Sequence, residues 1–166
     1  MITLVLGGAR SGKSVVAERL IAQLAPPVTY VATLEVHDDA DLAERVERHR
    51  RRRPPSWATV QSGAALPEVL RTTVGSVLVD SLGPWVSALP GMRADGAALC
   101  SALTERDGDT VVVSEEVGLS VHPSTEPGRR FRDALGTLNQ AVAAHADEII
   151  LVVAGCTLRL DGPRGH

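Results

Sequence analysis

The run Gly7-Gly8-Ala9-Arg10-Ser11-Gly12-Lys13-Ser14 places a glycine, four free positions and then Gly-Lys-Ser in order. Each fixed position has a chemical reason. Glycines let backbone N–H groups turn inward around phosphate oxygens, and a helix starting at Lys13 would add its positive N-terminal end. Lys13 would set a compact ammonium against the β and γ phosphates of a nucleoside triphosphate. Ser14 would offer its hydroxyl to the Mg2+ that bridges those phosphates. The chemistry open to such a set is transfer of a phosphorus-centred group. Of 17 basic residues, 16 are arginine, and Lys13 is the sole lysine of the chain.

Phosphate chemistry of this kind needs an acid near the hydroxyl to help hold Mg2+. Asp80 closes the apolar run Ser76-Val77-Leu78-Val79 and is well placed for it. The tandem Glu115-Glu116, after Val111-Val112-Val113, is the alternative. A second cluster is basic: Arg45, Arg48, Arg50, Arg51, Arg52 and Arg53 fall within nine residues around His49. Helical spacing puts Arg45, His49 and Arg52 or Arg53 on one face. Guanidinium forks match phosphate oxygens, and neighbouring cations disfavour a protonated imidazole, leaving the neutral, nucleophilic ring. Two readings stay open from these residues: His49 as a nucleophile among phosphate-binding arginines, or a surface histidine on a solvated basic helix.

The elements that must position these groups follow from the apolar pattern. Ile2 to Leu6, Val28 to Ala32, Val77 to Val79, Val111 to Val113 and Ile149 to Val153 are short, continuous and rich in β-branched residues. Continuous runs mean burial on both faces, as in a parallel sheet with helices on either side. Helices are expected over about 13–25, 38–52, 63–72, 94–106 and 128–146, with Pro26-Pro27 and Pro54-Pro55 as stops. With no internal repeat or linker, residues 1–166 read as one α/β domain with a three-layer, mostly parallel architecture.

Composition removes several function classes. A formal charge of -3 and four aromatic residues, Tyr30, Trp57, Trp85 and Phe131, do not suit a nucleic-acid binder. No apolar run reaches the length of a membrane span, and the N-terminus lacks a signal-peptide pattern. Cys100 and Cys156 stand far apart without zinc-ligand spacing, which suits reduced thiols in a cytoplasmic protein. His122, His145 and the trio Arg129, Arg130 and Arg132 receive no firm role; phosphate contact and salt bridging are both open for the arginines. Trp57 and Trp85 are expected in the core.

Four segments together carry a resemblance: GGARSGKS; His49, Arg53, Pro54 and Trp57 as H-x-x-x-R-P-x-x-W; SEEVGLSVHP; and GRRFRDALGTLNQAVAAHADEIILVVAG. From residue 1 to about 160 the chain resembles the bifunctional adenosylcobinamide kinase / adenosylcobinamide-phosphate guanylyltransferase family of cobalamin biosynthesis. The phosphate run is generic; the His-Arg-Pro-Trp block and the segment from Gly128 to Gly155 are far more specific to the family. The resemblance implies a P-loop NTPase-type fold and two reactions. A nucleoside triphosphate, ATP or GTP, phosphorylates the corrinoid adenosylcobinamide. GTP then gives GMP to a histidine, matching His49, and the corrinoid phosphate takes it to form adenosyl-GDP-cobinamide.

The same resemblance implies nucleotide contacts at Gly7 to Ser14, at Ala32, Thr33 and Leu34, at Arg50, Arg51, Arg52 and Arg53, and at Asp80. It also implies one at Gln61, where relatives commonly carry glutamate, so position 61 departs from the pattern. Lys13 and His49 would be catalytic, and Ser14 and Asp80 would hold Mg2+. A homotrimer is implied as well. Two rival functions remain for the residues alone: a monofunctional P-loop small-molecule kinase, and a regulatory P-loop NTPase whose basic helix docks nucleic acid.

Overall fold

The computed structural model describes residues 1–33, 53–119 and 121–161. They build one seven-stranded sheet in the order β3-β2-β4-β5-β1-β6-β7. The strands are β1 (Ile2–Gly7), β2 (Val28–Ala32), β3 (Ala58–Gln61), β4 (Ser76–Asp80), β5 (Thr110–Glu115), β6 (Glu148–Val153) and β7 (Cys156–Leu160). All neighbours run parallel except β6 and β7, which form an antiparallel hairpin. The helices are α1 (Lys13–Ile21), α2 (Leu66–Thr72), α3 (Leu82–Ala88), α4 (Gly96–Glu105) and α5 (Glu126–Ala143).

Alternating residues of each buried strand feed two separate cores, as the pleat requires. Val5, Tyr30, Leu78, Val111, Val113 and Ile150 pack with Ala17 and Ile21 of α1 on one face. Leu4, Val31, Val77, Val79 and Val112 pack with α2 to α5 on the other, among them Leu70, Trp85, Leu103 and Leu135. This is the expected three-layer arrangement, and the five apolar runs are all strands. Trp85 is buried as expected and donates its Nε1–H to the carbonyl of Ala64 at 3.2 Å. Trp57 is half-buried against the α1-side core.

Three elements go beyond the sequence reading: β3, β7 and α3. Every residue of β3 and β7 is exposed, because both are edge strands, so neither carries the apolar signature of the inner five. Helix α3 contains Gly83 and Pro84 in seven residues, a composition that reads as a turn; it is instead held by burial of Leu82, Trp85 and Val86. The helix expected over residues 38–52 lies outside the described residues. At the amino end of the sheet, Arg106 ties the connections together. Its Nη2 donates to the carbonyls of Thr73 and Gly75, at 3.2 and 2.6 Å, and its Nη1 to those of Gly108 and Asp109, both at 3.1 Å. The carboxyl ends are thereby left as the open side, where parallel α/β sheets receive ligands.

Candidate active site

Strand β1 ends at Gly7 and α1 begins at Lys13, so the glycine-rich run becomes a strand-to-helix loop at the carboxyl edge. Gly12 is the N-cap with φ 93°, a left-handed conformation that side-chain-bearing residues adopt at a cost. It gives α1 no side-chain cap, and there is no acid in the first turn. The Lys13 N–H reaches only the Ser11 hydroxyl, at 3.4 Å, and no acid offsets the positive end of the helix, the electrostatic setting for phosphate. Ser11 donates its N–H to the carbonyl of Gly8 at 3.3 Å and accepts the N–H of Gly155 at 2.8 Å. The turn of the β6–β7 hairpin thus braces the loop from behind. Gly8, Ala9 and Arg10 are exposed, while Gly12, Lys13 and Ser14 are half-buried.

The two acidic candidates at the strand ends take different partners. Ser14 Oγ donates to Asp80 Oδ1 at 3.3 Å, and the Tyr30 hydroxyl donates to Asp80 Oδ2 at 3.0 Å. Burial, then the Asp80 charge, push the Tyr30 phenol well above its ordinary range, so it stays a protonated donor. The Arg53 guanidinium lies 3.5 Å from the centre of the Tyr30 ring, a cation–π stack. A hydroxyl and a carboxylate converging at a phosphate loop are the hard oxygen donors that Mg2+ takes alongside phosphate oxygens and water. Among the described residues no group of three or more acids, histidines or cysteines could hold a metal by itself. Ser14 and Asp80 would hold Mg2+, which would supply charge neutralisation at the phosphates.

Glu115 faces Lys13 instead. Its Oε1 lies 3.5 Å from Lys13 Nζ and accepts the Ser81 hydroxyl at 2.9 Å; its Oε2 accepts the Gly83 N–H at 3.0 Å. A β-carbon on Gly83 would come within 2.9 Å of the Glu115 Cδ, so a larger residue there would push the carboxylate out of its present place. Ser81 is in turn held by Thr33, whose Oγ1 donates to its carbonyl at 2.5 Å and accepts its N–H at 3.2 Å. Behind Glu115, Asn139 of α5 donates to the Glu115 carbonyl at 2.9 Å and accepts the Ser114 hydroxyl at 2.6 Å. Glu116 turns away and receives the N–H groups of Gly118 and Leu119 at 2.7 and 2.9 Å.

The remaining sequence candidates scatter. Ala32 ends β2, and Gln61, exposed, ends β3 opposite it in register. Leu34, His49, Arg50, Arg51 and Arg52 lie outside the described residues. The α5 arginines have partners in the chain: Arg129 donates to the carbonyls of Pro123 and Ser124, at 3.2 and 3.0 Å. Arg130 pairs with Glu126 at 2.7 Å, and Arg132 with Asp133 at 2.8 Å and His122 at 2.8 Å. His145 bonds the Ala141 carbonyl at 2.9 Å, beyond the end of α5. Sequence reasoning missed Tyr30 and Asn139. The one available signal was a polar tip in each case: the chain's single tyrosine inside an apolar strand, and an asparagine on the apolar stripe of a helix.

A parallel sheet with this loop at its carboxyl edge, a lysine inside it and a Ser–Asp pair beside it defines a P-loop nucleoside-triphosphate-binding protein. In fold, the chain is similar to a prototypical ATPase from the type III secretion system of pathogenic bacteria. That similarity has a TM-score of 0.56 at 11% identity, over 90% of this chain and 50% of the other. The sequence narrows the class. Residues 3–160 match the family model described as cobinamide kinase / cobinamide phosphate guanyltransferase, and the chain belongs to that family. It is 40% identical to the bifunctional adenosylcobalamin biosynthesis protein CobP of Pseudomonas aeruginosa over 98% of both chains. It is 34% identical to the bifunctional adenosylcobalamin biosynthesis protein CobU of Escherichia coli, over 96% of this chain and 99% of that one.

Proposed function

We propose that this chain carries out both reactions of its family on a corrinoid, with His49 as the covalent carrier of GMP. In the first, the aminopropanol hydroxyl of adenosylcobinamide attacks the γ-phosphorus of ATP or GTP; the bond to the β-phosphate oxygen breaks and the diphosphate leaves. In the second, a His49 ring nitrogen attacks the α-phosphorus of GTP and pyrophosphate leaves. A phosphate oxygen of the corrinoid then attacks the same phosphorus, the N–P bond breaks, and adenosyl-GDP-cobinamide forms. A covalent carrier divides one hard transfer into two displacements.

The observation that carries this reading is the convergence of Lys13, Ser14 and Asp80 around an uncapped helix N-terminus in a chain of this family. Lys13 and the loop N–H groups of Gly7 to Ser14 grip the phosphates. Ser14 and Asp80 hold Mg2+. Ala32, Thr33, Leu34 and Gln61 line the nucleotide from the β2 and β3 ends, and Arg50 to Arg53 neutralise phosphate beside His49. The arginine stack on Tyr30 gives Arg53 a fixed place from which to do so. Assembly as a homotrimer and residence in the cytoplasm complete the proposal.

The test is GTP labelled at the α-phosphorus, given to the chain with Mg2+. Acid-labile, alkali-stable label on the wild type and none on His49→Ala is expected. A wild-type chain that takes up no label would sink the guanylyl half. Sedimentation of the purified chain at three protomer masses is expected; a monomer at micromolar concentration would remove the trimer.

A further inference from the structure

We propose that Glu115 is the general base of the kinase step, parked on Lys13 until a triphosphate arrives. This rests on the kinase reading above and assigns a role to a carboxylate that the phosphate grip does not itself need. Three observations on separate elements place it. Glu115 ends β5, the strand between β1 and β4, so it stands between the lysine of the phosphate loop and the acid that faces Ser14. Its carboxylate is fixed by Ser81 and Gly83 and its backbone by Asn139, so its position does not depend on Lys13. Its side chain is 28% exposed, open enough to meet an incoming group.

The chemistry of the three transfers makes the role selective. Only the kinase nucleophile carries a proton it must lose: an aminopropanol hydroxyl. A neutral imidazole attacks through a lone pair, and a corrinoid phosphate is already anionic near neutral pH. When the γ-phosphate draws Lys13 toward itself, the carboxylate loses its 3.5 Å ionic partner but keeps the hydroxyl and amide donors. It then stands one lysine contact from the γ-phosphate. As the hydroxyl oxygen bonds to γ-phosphorus, its proton passes to a Glu115 oxygen and the diphosphate carries away the electron pair of the broken P–O bond. No other reactant is required.

The experiment compares wild type, Glu115→Gln and Glu115→Asp in the full chain with Mg2+. Cobinamide phosphorylation is followed with γ-labelled triphosphate, self-labelling with α-labelled GTP, and triphosphate affinity by equilibrium binding. Removal of a general base costs about 10²–10⁴-fold in rate. The expectation for Glu115→Gln is a fall of that size in kinase kcat. Nucleotide affinity and self-labelling should change less than about fivefold. Glu115→Asp, which keeps the carboxylate but shortens it, should fall between, and it carries the test if the glutamine variant does not fold. Kinase turnover within about threefold of wild type in both variants overturns the role. So does an equal fall in phosphorylation and self-labelling, which marks Glu115 as a structural tie between β5 and α3. A wild-type chain that never phosphorylates cobinamide overturns the kinase reading itself.

Discussion

Asp80 and Glu115 end adjacent parallel strands on the same open edge, yet they have opposite surroundings. Asp80 receives two hydroxyls, from Ser14 and Tyr30. Glu115 receives an ammonium, a hydroxyl and a backbone amide. The register explains part of this. Asp80 lies opposite Val113, so β5 runs two residues further and carries Glu115 level with Gly7, where the phosphate loop starts. The extra methylene of glutamate extends the same offset. A strand-end acid thus takes its partners from where its strand stops, and one pleat separates a carboxylate that receives Ser14 from one that meets Lys13.

Breaking the pair at its shared neighbour should have the largest effect. Lys13→Ala removes the cation from both the phosphates and Glu115. Loss of a single transition-state donor costs about 10²–10³-fold, so cobinamide phosphorylation should drop at least that far with weaker triphosphate binding. Unchanged turnover in steady-state assay would refute the loop assignment. Asp80→Asn removes only the carboxylate beside Ser14, which the proposed function gives to Mg2+. Hydrogen bonds to charged groups contribute roughly 1.5–3 kcal/mol, so a loss of about 10–150-fold is expected. It should fall on phosphorylation and self-labelling together and ease partly as Mg2+ is raised; a Glu115→Gln-like split between the two activities would erase the contrast.

Tyr30→Phe sharpens the comparison most finely, because it trims one donor from Asp80 and leaves Glu115 untouched. A net hydrogen bond contributes about 1 kcal/mol, so a loss near fivefold is expected, read as a higher Mg2+ requirement. Its stability carries a signature as well. The Tyr30 phenol is raised in the folded chain, so the unfolded chain ionises first and the folded state loses stability as pH rises past about 10. Thermal melts of Tyr30→Phe should therefore decline less steeply above that pH than those of wild type, with the two curves parallel below it.

Much of this arrangement was legible in the sequence because buried parallel strands and phosphate loops have strict composition. The five inner strands showed as continuous apolar runs, and the loop from Gly7 to Ser14 could be read with its strand and helix in place. Edge strands β3 and β7 escaped notice because exposure on both faces removes any apolar pattern. The contrast between Asp80 and Glu115 was also hidden, since both simply follow a run of valines and leucines. Only register and topology tell which acid meets Ser14 and which meets Lys13. Tyr30 and Asn139 act through contacts 50 and 24 residues away in sequence, separations across which local pattern carries no information.

The hairpin turn behind the phosphate loop has a consequence for how the site comes into being. The glycine-rich run precedes most of its neighbours in the chain: its strand β1 is flanked by β5 and β6, and Ser11 is braced by Gly155. Both flanking strands and the bracing turn come from far later in the chain than the loop, and Asp80, the partner of Ser14, comes from its middle. Synthesis runs N-terminal first at about 5–20 residues per second, so the phosphate loop must wait several seconds, unpaired, for its neighbours. A nucleotide cannot template the early chain. The phosphate loop is made before the strands that flank it and cannot be framed until they arrive.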